Sequence, residues 1–87
     1  MRSLSSIFTN HLPHLDLHGE IGAIASVKTN DFVKENASLG NKRIVIVHGK
    51  GTGVVKESVH STLKTNKNVL SYKLDNFNNG CTIVELK

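Results

Sequence analysis

In Arg43-Ile44-Val45-Ile46-Val47-His48-Gly49-Lys50-Gly51-Thr52-Gly53, four consecutive β-branched residues run directly into a loop rich in glycine. Such a run is typical of a central strand covered on both faces. A helix is predicted to follow, from Val54 to Asn66, with Val55, Val59, Thr62 and Leu63 inward and Lys56, His60 and Lys64 outward. The same arrangement occurs upstream. Leu15-Asp16-Leu17-His18 alternates apolar and polar as a short strand does, and Gly19 breaks it. Both strands therefore end in His-Gly, and each leads into a helix. A strand–helix–strand crossover makes its two strands parallel. His18 and His48 then lie at one edge of the sheet, the carboxyl edge, where ligands of open α/β sheets collect.

The rest of the chain follows from this frame. Glu20 to Leu39 reads as the first helix, with Ile21, Ala25, Phe32 and Leu39 on its inner stripe and Ile24 at the edge. Lys28 falls inside that stripe, where its stem would be buried and its amine would reach out to water. Gly40-Asn41 is the predicted stop. Val69–Leu74 and Cys81–Leu86 are strands joined by a polar turn, Asp75 to Gly80, which predicts an antiparallel hairpin. The order is βαβαββ. The simplest architecture is an α/β two-layer sandwich, a four-stranded mixed sheet with two helices on one face. Residues 1–13 read as a flexible N-terminal arm and 14–87 as the domain.

Composition narrows the function. Eighty-seven residues make one domain with room for one core and one site. A net charge of +4 mildly favours a polyanionic partner. The single cysteine, Cys81, allows no internal disulfide, and it reads as a small buried apolar residue. No apolar run is long enough for a signal peptide or a membrane span, so a cytoplasmic protein with no membrane partner is expected.

The chemistry concentrates at the two His-Gly corners. Three of the five residues from Gly49 to Gly53 are glycines. Glycine permits positive φ and close backbone approach, and the free N–H groups of a helix start form an anion site. Lys50 and Lys56 add full positive charges. Lys56 also opposes the helix dipole, an opposition that a bound phosphate would relieve. The phosphate-binding set is thus Gly49, Lys50, Gly51, Thr52, Gly53 and Lys56, with His60 and Lys64 lending positive potential. Neither the P-loop pattern nor the dinucleotide fingerprint is present. Asp16 projects to the same side as His18, so it could orient that imidazole as a base toward water or a ribose 2′-hydroxyl. Asp16, His18 and His48 could instead hold a divalent metal ion, Mn²⁺ or Mg²⁺. Spacing does not separate the two.

LDLHG at 15–19, IVIVHGKGTG at 44–53 and CTIVELK at 81–87 together resemble the Smr (small MutS-related) domain. The resemblance runs from about Leu15 to Lys87. It implies a βαβαββ sandwich similar to the C-terminal domain of translation initiation factor three. It also implies an endonuclease that nicks DNA or cuts RNA, in recombination control, DNA repair or ribosome rescue. On the family pattern Asp16 and His18 are the catalytic positions, and His48, Gly49, Gly51 and Gly53 match the second motif, which the family uses in substrate binding or catalysis, so the expected catalytic set is Asp16, His18 and His48. The stretch after LDLHG lacks the usual acidic pair, and the last turn has only Gly80 where many members have several glycines. Two readings stand. One is an endonuclease acting on DNA or RNA. The other is a non-catalytic module that binds branched DNA or ribosome-associated RNA. Metal need and oligomeric state are open.

Overall fold

The structure, a computed structural model, describes residues 11–87. The first ten residues of the expected arm lie outside the described residues. The elements run β1 (His14–Asp16), α1 (Gly22–Ser38), β2 (Arg43–Val47), α2 (Val54–Thr65), β3 (Val69–Leu74) and β4 (Cys81–Leu86). The sheet order is β1-β2-β4-β3. β1 is parallel to β2, and β4 is antiparallel to both β2 and β3. The two helices pack side by side and share one core with the sheet face beneath them. This is the two-layer α/β sandwich that the strand and helix signals predict. No helix among the described residues is long and apolar enough to cross a membrane.

The core is built where alternation and helical spacing meet. Leu17, Ile44, Ile46, Val84 and Leu86 point from the sheet toward Ala25, Val33, Val59 and Leu63 of the helices. The helix contact itself is lined by small polar groups. Ser58 Oγ donates to the Gly22 carbonyl at 2.6 Å, Ser26 and Ser58 share a hydrogen bond at 2.9 Å, and Thr62 Oγ1 lies 2.9 Å from Ser26 Oγ. A β-carbon at Gly22 would rest 3.6 Å from Ser58 Oγ, so the helices meet here at backbone distance.

The inner face of α1 differs from the predicted one. The buried residues are Ala25, Thr29, Val33 and Asn36, with Phe32 packed beside them. Ile21 and Leu39 are 61% and 69% exposed. Ile21 is the N-cap and Leu39 the C-cap, so neither has a place on the helical stripe. The true stripe includes a threonine and an asparagine, which a count of apolar residues passes over. Asn36 is buried with its amide donating to the Phe32 carbonyl at 2.9 Å and its oxygen accepting from Asn41 at 2.8 Å. Lys28 lies off this stripe and is exposed, its amine 2.8 Å from Glu20, which sits in the turn before the helix.

The stop at Gly40 follows the prediction. Gly40 takes φ +79°, its N–H donates to the Ala37 carbonyl, and the Asn41 N–H donates to the Asn36 carbonyl. That pair of bonds is a Schellman motif, which satisfies the last carbonyls of the helix.

Candidate active site

β1 and β2 pair in register, with His14 opposite Val45 and Asp16 opposite Val47. Their carboxyl ends therefore open side by side. The Leu17 N–H still donates to the Val47 carbonyl at 2.6 Å, so the strands stay together up to the two His-Gly corners. A cleft of about 380 Å³ forms between them. His18, Gly19 and Glu20 line one side, and the continuous stretch from His48 to Lys56 lines the other.

His18 and Asp16 form a pair on the cleft rim. His18 Nδ1 stands 2.6 Å from Asp16 Oδ1, and the His18 backbone N–H donates to the same oxygen at 3.1 Å. The hydrogen bond to His18 holds the Asp16 carboxyl below its ordinary range, and the same bond raises the His18 imidazole above its own. A carboxylate on Nδ1 fixes the tautomer and leaves Nε2 as the working nitrogen. The side chains are 71% and 59% exposed, so Nε2 is open to a substrate.

The glycine-rich loop reaches the cleft through unusual backbone. Gly49 and Gly53 take φ +84° and +89°. Gly53 is the N-cap of α2 and has no side chain to cap it. The first-turn N–H groups of Val54, Val55 and Lys56 have no partner within their own helix, and these residues line the cleft. Lys50 and Lys56 line it too, which places two cations beside the start of α2. Thr52 bends back toward the Val54 N–H at 3.4 Å.

His48 lines the same cleft as His18, and His60 lines the neighbouring groove. His48 is buried, with Nδ1 on the Gly49 carbonyl at 3.1 Å and Nε2 on Thr82 Oγ1 at 2.8 Å. Its ring turns to the helix side of the sheet, whereas Asp16, in register with Val47, turns to the other. The structure thus does not gather Asp16, His18 and His48 into one ligand set. Among the described residues no three His, Cys, Asp or Glu side chains converge to hold a metal ion.

His60 is not on a solvated outer face. It leans inward, Nε2 2.7 Å from Thr82 Oγ1, with its ring centroid 5.0 Å from that of Tyr72. Burial lowers the proton affinity of both His48 and His60, and the nearby Lys56 charge adds to this. Lys64 is exposed and shares a second groove with Lys56, His60 and Tyr72. Lys56 lines both grooves and joins them.

Thr82 and Tyr72 carry no sequence signal of their own. Nothing in the one-dimensional pattern separates Thr82 from any other strand residue. Its role arises only because β4 lies between β2 and β3. Cys81 is buried as predicted, and burial raises its thiol. Phe77 stands exposed in the turn between β3 and β4.

This fold and cleft define a small α/β domain with a histidine–carboxylate pair beside a glycine-rich loop. The chain belongs to the Smr domain family, whose model matches residues 15–87. It is 40% identical over 76 residues to the endonuclease MutS2 of Clostridium acetobutylicum and 37% identical over 78 residues to that of Halothermothrix orenii. Those matches cover 84% and 86% of this chain, and 10% of each relative, so the chain spans about a tenth of their length. The crystal structure of the Smr domain of Thermus thermophilus MutS2 superposes with a TM-score of 0.84 at 28% identity, covering 87% of this chain and 99% of that one. YdaL, a stand-alone small MutS-related protein from Escherichia coli, shares the fold with a TM-score of 0.75 at 19% identity, covering 85% of this chain and 63% of that one.

Proposed function

We propose that this domain binds a nucleic-acid strand across the cleft and cleaves its phosphodiester backbone, with Asp16 and His18 as the catalytic pair. The carrying observation is that His18, paired with Asp16, and the glycine-rich loop line one cleft. Kinship with proteins named endonuclease MutS2 supports the reading. A phosphate seated on the loop amides, between Lys50 and Lys56, would present phosphorus toward His18. Nε2 would take a proton from an attacking water or ribose 2′-hydroxyl. The new oxygen–phosphorus bond would form as the bond to a bridging ester oxygen breaks, and solvent water would protonate the leaving oxygen. Charge building on the non-bridging oxygens would meet the loop N–H groups and the lysines, the kind of preorganised stabilisation that lowers such barriers most. Lys64 would extend the basic track along the second groove, with His60 lining that groove as a neutral ring.

The test is incubation with supercoiled plasmid, branched DNA and structured or ribosome-associated RNA, each with and without Mn²⁺ or Mg²⁺. The wild-type chain nicks at least one substrate, and His18→Ala does not. Equal cutting by both proteins removes His18 from the chemistry. Salt-sensitive binding without cutting by either protein makes the domain a binding module.

A further inference from the structure

The three groups His60, Thr82 and His48 form a hydrogen-bonded chain whose direction can be deduced. A carbonyl only accepts, so the contact between His48 Nδ1 and the Gly49 oxygen at 3.1 Å places a proton on Nδ1. With the ring neutral, Nε2 is bare and accepts. The Thr82 hydroxyl, 2.8 Å away, has one proton and gives it to Nε2. The lone pairs of Thr82 Oγ1 then accept from His60 Nε2–H at 2.7 Å. The sequence of donors runs one way, from His60 through Thr82 and His48 to the Gly49 carbonyl.

Gly49 carries the consequence. The peptide bonds of the described residues are all trans, and a planar trans peptide sets its N–H opposite its C=O. Holding the Gly49 carbonyl against the His48 ring therefore turns the Lys50 N–H away from that ring. The preceding peptide is also held, because the His48 and Gly49 N–H groups both donate to the Gly80 carbonyl, at 2.9 and 3.0 Å. Gly80 and Thr82 flank Cys81 at the start of β4, so one strand end grips the loop twice, once through backbone and once through a side chain. Thr82 is fully buried, and valine would fill its volume equally well. A buried hydroxyl here is tolerated only because both of its partners are in place.

We propose that Thr82 and His60 are positioning residues for the glycine-rich loop, aiming its amides at an incoming backbone phosphate by holding the Gly49 carbonyl through the His48 ring. The phosphate rests on the function proposed above, whereas the positioning of the loop can be measured without any nucleic acid.

The experiment compares the full chain with Thr82→Val, Thr82→Ser and His60→Phe. Amide resonances of the loop and ring ¹⁵N resonances of the histidines are recorded first in the free protein. In the wild type His48 carries its proton on Nδ1 and His60 on Nε2. Thr82→Val displaces the Gly49, Lys50 and Gly51 amide signals and leaves Gly40, at the far end of α1, unmoved, while Thr82→Ser restores the wild-type pattern. His60 is only partly buried, so His60→Phe keeps the fold and moves the same loop signals. The second arm measures affinity for a single-stranded oligodeoxynucleotide by fluorescence anisotropy. Thr82→Val weakens it by roughly tenfold, about the contribution of one buried hydrogen bond, and Thr82→Ser recovers it. Loop signals unmoved in Thr82→Val or His60→Phe, or moved equally by serine and valine, overturn the proposal. If the wild type binds no oligonucleotide, the proposed function falls, and the loop signals still decide whether Thr82 positions Gly49.

Discussion

A β-carbon on Gly49 would stand 3.3 Å from the β-carbon of His18. The second His-Gly corner thus lies directly against the first, and the bare glycine lets the His18 imidazole sit where it does. Two constraints act on this position, since Gly49 also takes φ +84°. An L-residue in that region costs about 1–2 kcal/mol. Gly49→Ala should lower stability by about that amount and also push His18 off its bond to Asp16. Chemical denaturation measures the first effect. The second appears as a fall in the His18 titration midpoint, which a purely local backbone strain would leave in place.

Asp16→Asn isolates the carboxylate. In the wild type the hydrogen bond to Asp16 raises the His18 proton affinity above its ordinary value of 6.5. Removing the charge should return the NMR-observed midpoint toward 6.5. If His18 acts as a base, its bare form does the work, so the rising limb of the cutting rate against pH should move to lower pH by the same interval. The maximal rate should fall, because Nε2 becomes less basic and the ring loses its fixed tautomer. A limb that stays in place would assign that titration to another group.

Acid should destabilise the fold through the buried histidines. Burial lowers the folded-state proton affinity of His48 and His60 below the ordinary imidazole value of 6.5. The unfolded chain then binds more protons over the interval beneath 6.5, so stability is full above that pH and falls as pH drops through it. Lys56, Lys64, Glu57 and Tyr72 line the groove beside His60, and two imidazolium rings with centroids 5.8 Å apart would repel each other. The Asp16–His18 pair acts in the opposite sense on its histidine side. Its contribution is complete below 6.5 and lost as pH rises through the raised value, but solvent screening keeps so exposed a pair weak. Thermal unfolding followed from neutral to acid pH should show a falling midpoint, and His60→Gln should flatten the fall.

The inner face of α1 gives a contrast that does not depend on function. Val33 is fully buried, and truncation to alanine should cost about 2 kcal/mol in transfer and cavity terms. Ile21 is 61% exposed despite its apolar side chain, and Ile21→Ala should change stability by less than about 0.5 kcal/mol. Equal losses at the two positions would restore the stripe expected from sequence.

Lys50 and Lys56 should carry the salt dependence of binding. Each phosphate neutralised on duplex DNA contributes about 0.9 to the slope of log affinity against log salt. The double change Lys50→Ala with Lys56→Ala should therefore reduce that slope by about 2. An unchanged slope would move the phosphate contacts to another face of the domain.

Sequence alone was enough for the order of elements, the parallel pairing of β1 with β2, the stop at Gly40 and the meeting of the two His-Gly corners. Those features are local. They follow from β-branched runs, from helical spacing, from glycines at positive φ and from the rule that a helical crossover aligns its strands. Neighbouring residues are enough to read Asp16 beside His18, because two positions along a strand return to the same side. The tertiary structure decided what lies across elements. It set the phase of α1, where buried Thr29 and Asn36 are recognisable only once their surroundings are known. It turned His60 inward and tied the rings of His48 and His60 to one hydroxyl, because β4 carries Thr82 into the space between α2 and the end of β2. A hydroxyl takes its partners from whatever packs against it, and packing between distant segments leaves no periodic trace in the chain.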